Sequence, residues 1–270
     1  MPVKKDASGR RSVQAEVEVP GTPEEVWQAI ATGPGISSWF VPSEVDGRVG
    51  GTAVSHFGPG NSMDSAGTIT TWEPPRRFVV ETKEGPGPVA SEWTVETRSG
   101  GTCVVRVVHS WFASSDDWDN QFEGHEHGWR AFFNILRLFL KHFRGQPCAS
   151  FQLMAVASEP KADAWKALAG PLGIADASEG QGVTAPADAP RLAGIVEQAG
   201  PREYPEALLV RIEKPAPGLA HVFALPMGGQ VFLVVRLYLY GSGAAAVAAR
   251  EETVWQSWMA ARFPAAGGAQ

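Results

Sequence analysis

The chain has 270 residues, 44% apolar and 19% charged, which exceeds one ordinary domain and excludes a disordered or fibrous composition. A formal charge of -6, with no Lys/Arg stripe, leaves no basic face for nucleic acid and disfavours an anionic membrane surface. The longest apolar run, 231–240, is interrupted by Arg236 and is too short to span a bilayer.

Residues 1–12 are basic with no apolar stretch behind them, so they read as a disordered tail and not as a secretory signal. The only cysteines, Cys103 and Cys148, have no metal or redox spacing, which fits a reducing cytoplasm. Val13, Ala15, Val17 and Val19 alternate with polar residues as a half-buried strand does. Thr22-Pro23-Glu24-Glu25 opens a helix, with Thr22 as N-cap and Pro23 at the first helical position. Its apolar stripe is Val26, Trp27 and Ile30. Gly33-Pro34-Gly35 ends it, and a short helical piece, 36–40, follows. Turn signals at Gly50-Gly51, 58–60 and Gly100-Gly101 then separate strands expected at 52–57, 67–73, 77–82, 91–97 and 102–112. Trp93 and Val95 share one face. Val105, Val107, His109 and Trp111 also share one, so the inner surface is apolar with one histidine. Ser114 to Asp117 cap a long helix whose stripe runs from Trp118 through Trp129 and Phe133 to Phe143.

The order strand, helix, antiparallel strands, long amphipathic helix predicts an α+β helix-grip unit, in which a curved sheet wraps one helix. The segments VEVPGTPEEVWQAI, SSWF, DGRVGGT, GTITTWEPPRRFVVE, GTCVVRVVHSWF and GHEHGWRAFFNILRLFLKHF carry a family resemblance. Together, over about 12–144, they resemble the START-like (SRPBCC) domains related to the activator of heat-shock-protein ATPase. A fainter copy follows. TPEEVWQAIATGPGIS at 22–37 matches EPKADAWKALAGPLGIA at 159–175, with Trp27 against Trp165. Strands are expected at 151–157, 191–199, 208–214, 219–226 and 230–240, then a helix over 244–263. The expectation is two tandem helix-grip domains, 13–146 and 150–264, made by duplication of a whole domain.

A sheet gripping one helix leaves room for a ligand cavity, and the ten tryptophans call for a large core or a lined pocket. The candidate ligand-binding residues are Trp39, Phe40, Trp72, Trp93, His109, Trp111, Trp118, Phe122, His125, Trp129, Phe132 and Phe133. Fewer aromatics in the second domain predict a filled core there. His109 and His125 are the only candidates for acid–base chemistry, and the plainer reading makes both hydrogen-bonded core histidines. No metal site is expected, because residues two apart on a helix, such as His125 and His127, point about 200° apart. Dinucleotide, P-loop, calcium-loop and hydrolase-elbow patterns are absent, so no cofactor is expected. Ser91 and Ser110 have no companion base in the sequence. Cys103 reads as a buried, inert thiol.

The favoured expectation is an apolar small-molecule carrier or sensor without catalytic machinery. The resemblance also implies two alternatives: a co-chaperone-like module that binds a protein partner, and a polyketide cyclase/aromatase-like enzyme using His109 or His125.

Overall fold

The computed structural model describes residues 3–7, 9–58, 63–84, 87–112, 119–158, 160–202 and 204–264, without the side chains of 84, 87, 119–127 and 227. The chain divides into two units, Met1–Gly145 and Gln146–Gln270.

The first unit contains β1 (Lys4–Lys5), β2 (Arg10–Pro20), α1 (Pro23–Ala31), α2 (Gly33–Ser37), β3 (Ser43–Val45), β4 (Thr52–His56), β5 (Asp64–Glu73), β6 (Arg77–Glu84), β7 (Gly87–Arg98), β8 (Thr102–Phe112) and α3 (Asp119–His142). Its antiparallel sheet has the order β1-β2-β8-β7-β6-β5-β4-β3. The second unit contains β9 (Cys148–Ala157), α4 (Lys161–Ala169), β10 (Gly182–Thr184), β11 (Ala193–Ala199), β12 (Ala207–Lys214), β13 (Gly218–Met227), β14 (Gln230–Tyr240) and α5 (Ala244–Arg262). Its sheet has the order β10-β11-β12-β13-β14-β9. In both units the first long strand pairs with the last, the remaining strands meander away from that pair, and a long helix closes the chain. This is the tandem helix-grip arrangement.

Local chemistry explains the elements. Thr22 accepts from the Glu25 amide at 3.3 Å and Glu25 Oε2 accepts from the Thr22 amide at 2.8 Å, a reciprocal capping box that starts α1. The counterpart α4 starts at Pro160 with no side-chain cap. The β13–β14 hairpin turns through Gly228 and Gly229, at φ +61° and +78°, a pair of left-handed positions that favours glycine.

The expected tail is a correction. Lys4–Lys5 pair with Arg11–Ser12, and β2 begins at Arg10. The Asp6 amide donates to the Arg10 carbonyl, Asp6 Oδ1 accepts from the Arg10 amide at 3.1 Å, and Gly9 sits at φ +81°. That Asp/Gly turn chemistry folds the segment back on itself. Strand β10 and the short β3 were also not foreseen, since three residues carry no periodicity. No helix among the described residues is long and apolar enough to cross a membrane.

Candidate functional site

Register places the first unit's inner residues in rows across the sheet. One row is Val13, His109, Ser91 and Val80. The next is Ala15, Val107, Trp93, Phe78 and Trp72. Helix α3 lays Trp129 and Phe133 over these rows. Trp93 meets Trp129 edge-on at 5.2 Å and Phe133 at 6.2 Å. From the other side Phe40 stacks on Trp129 at 5.3 Å and meets Phe132 at 4.3 Å. Such pairs hold the rings in fixed relative orientations.

The predicted ligand residues separate into three groups. Phe40, Trp72, Trp93, His109, Trp129 and Phe132 are half-buried. All but Trp72 form one connected wall. Trp72 instead packs against Trp27 and Phe78, and its ring lies over Gly47, where a Cβ would stand 2.6 Å from it. Trp39, Trp111 and Phe133 are fully buried. Trp39 Nε1 donates to the Ala29 carbonyl at 2.9 Å, which makes it a bolt between α1 and the chain after α2. Trp111 packs with Val13 and Val89. Trp118 lies outside the described residues, as do the side chains of Phe122 and His125.

His109 is the polar centre of the wall. Trp129 Nε1 donates to His109 Nε2 at 2.7 Å, and Ser91 Oγ lies 2.8 Å from His109 Nδ1. An indole N–H can only donate, so Nε2 accepts. The imidazole proton then sits on Nδ1 and is donated to Ser91 Oγ. The two rings also stack, 5.5 Å apart. Ser91 therefore does have a histidine partner, contrary to the sequence expectation. The sequence could not show it, because the pair exists only through the β7–β8 register. The bond runs the wrong way for base activation, since the ring gives a proton to the hydroxyl. Ser110 points to the opposite face and accepts from Arg10 Nη2 at 2.6 Å.

Cys103 is buried, donates to the Gly21 carbonyl at 3.4 Å, and has its thiol pKa pushed up by burial and then by the Glu24 and Glu25 carboxylates. That is the environment of an inert thiol. No metal-holding cluster occurs among the described residues. Two shallow depressions flank the start of α1, one including Glu25 and Arg144 and the other Pro74 and Arg76, away from the aromatic wall.

The second unit's inner face has a different content. Leu237 stands opposite Phe151 and Ala220, and Val235 opposite Val222, all within one packed core with Trp255 and Trp258. Its outer face carries an unforeseen polar group. His221 is buried beside Arg236, stacked 4.5 Å from Phe223, and burial followed by the Arg236 charge lowers its pKa to about 3. Arg236 itself is held by Gln152 Oε1 at 2.6 Å.

The fold and the inner wall define the first unit as a helix-grip domain. Residues 20–141 match the family described as Activator of Hsp90 ATPase homolog 1-like protein. No match was found among curated proteins. Solved structures similar to this chain include CalU16 from Micromonospora echinospora, 22% identical over 52% of this chain and 83% of that one, with TM-score 0.41. DynU16, a putative protein in the dynemicin biosynthetic locus, is 19% identical over 92% and 94%, with TM-score 0.41. The di-domain ARO/CYC BexL from the BE-7585A biosynthetic pathway is 13% identical over 95% and 100%, with TM-score 0.45. Identities this low leave ligand and activity to this chain's own residues.

Proposed function

We infer that the first unit holds an apolar small molecule against its aromatic wall, as a carrier or sensor, with His109 as a positioning group. The observation that carries this reading is the half-buried set Phe40, Trp93, Trp129 and Phe132 around one polar pair, His109 and Ser91. Ligand sites are mostly apolar with a few placed polar groups, and this set has that character. Ser91 Oγ accepts from His109, so its own O–H is left to donate to an oxygen of the bound molecule. Both ring nitrogens of His109 are engaged, which argues against its use as a general base.

The test is a thermal-shift screen against apolar compounds, joined to native mass spectrometry of the purified chain. A ligand at a hundredfold excess over its Kd stabilises by about 2.7 kcal/mol, a shift of a few degrees. The expected result is a hit that Trp129→Ala abolishes and Trp129→Phe weakens. No hit and no bound mass would overturn the reading in favour of a protein partner. Turnover of a bound compound that His109→Gln removes, while binding persists, would establish the cyclase-like alternative instead.

A further inference from the structure

The four terminal strands of the two sheets are unequal. β1, β3 and β10 span two or three residues each, whereas β9 spans ten. Short edges are one way proteins avoid sheet-to-sheet pairing, and charges, prolines and bulges are others. β9, with the sequence CASFQLMAVA, has no charge, no proline and no glycine, and pairs with β14 over ten consecutive residues without a register shift. Its counterpart β2 carries Arg10, Arg11, Glu16 and Glu18, ends in Pro20, and pairs with β1 at Arg11 and Ser12. The edge of the first sheet is thus blunted, and that of the second is not.

The outward side chains of β9 add a second observation. Met154 is 45% exposed and Val156 is 44% exposed, two large apolar groups on one face. Val156 continues sideways into Phe232 and then Leu225, itself 43% exposed. This apolar row runs to the sheet edge and stops.

We propose that β9 pairs antiparallel with β9 of a second copy of this chain, joining two six-stranded sheets edge to edge. A two-fold axis sets each strand residue against its own kind or a near neighbour, so a charged edge would repel itself, and this one carries no charge. Paired residues in an antiparallel ladder share a face, which restricts the register to offsets that keep Met154 and Val156 on the outer side. The register with the axis at Ala155 sets Met154 of each copy against Val156 of the other. It also makes the row from Leu225 through Phe232 and Val156 continuous with the opposite copy. The interface is small, so dissociation falls in a range that dilution reaches.

Sedimentation velocity of the full chain across a dilution series tests the proposal. The expected species at high concentration is twice the 28.8 kDa of one chain. Met154→Lys/Val156→Lys, at two exposed positions, is expected to give a monomer with unchanged circular dichroism and Tm. A wild type that stays monomeric, or a dimer indifferent to the two lysines, overturns it. The register is read by disulfide formation between introduced cysteines in a Cys148→Ser background, because a disulfide needs Cα atoms within about 7 Å of each other. Met154→Cys/Val156→Cys is expected to cross-link between copies and neither single variant to do so. Cross-linking by Met154→Cys alone overturns the axis at Ala155.

Discussion

The two units share a topology and differ in what fills it. β8 and β14 have the same length and the same place in their sheets. Counting back from Phe112 and Tyr240, His109 corresponds to Leu237. Ser91 pairs with the first and Ala220 with the second. Trp93, opposite Val107, corresponds to Val222, opposite Val235. One sheet therefore presents an indole, an imidazole and a hydroxyl where the other presents aliphatic groups packed to closure. The outer faces differ in the same sense. The first sheet is polar outside, with Arg106 held between Glu16 at 3.0 Å and Glu96 at 2.9 Å. The second is largely apolar outside, with Leu219, Val234 and Tyr238 buried. A fold can keep its strand order while changing how polar each face of its sheet is.

Several substitutions break or sharpen this contrast. The largest effect is expected at Trp255, fully buried in the second core. Trp255→Ala should cost about 3–5 kcal/mol in chemical denaturation without touching ligand affinity. In the wall of the first unit, Trp129→Ala should instead cost affinity first.

Next is acid sensitivity at His221. Its folded pKa, about 3, lies below its ordinary value of 6.5, so between those values the unfolded chain takes up a proton that the folded chain refuses. Stability is complete above the ordinary value and falls as pH drops, by on the order of 2 kcal/mol at pH 5. His221→Leu should flatten the Tm profile between pH 7 and 5. A smaller effect is expected from Trp129→Phe, which leaves His109 Nε2 without its donor, at about 1–2 kcal/mol. Smallest is Thr22→Ala, which removes the α1 cap for about 1 kcal/mol, whereas Pro160→Ala at the uncapped α4 should do little.

Much of the fold was legible because periodicity and turn chemistry were strong. The bounds 102–112 and 230–240 came directly from alternating or continuous apolar runs flanked by glycine. The cap at Thr22 was legible because its mechanism is local. What the sequence could not supply was register. His109 and Trp129 both stood out as residues, yet their hydrogen bond and the Ser91 contact depend on how three elements pass one another. The difference between Trp39, a buried bolt, and Phe40, part of the wall, was hidden for the same reason. The outer-face role of His221 was missed because 219–226 reads as apolar on both sides, and burial on both faces is a property of the assembled sheet.

The pairing of first strand with last has a consequence for how each unit comes into being. Val13 finds His109 and Phe151 finds Leu237 only after some ninety intervening residues have been made. Contacts that distant in sequence close late and slowly. A chain interrupted before β14 would leave the uncharged β9 with no neighbour on either side, an open template for other nascent chains.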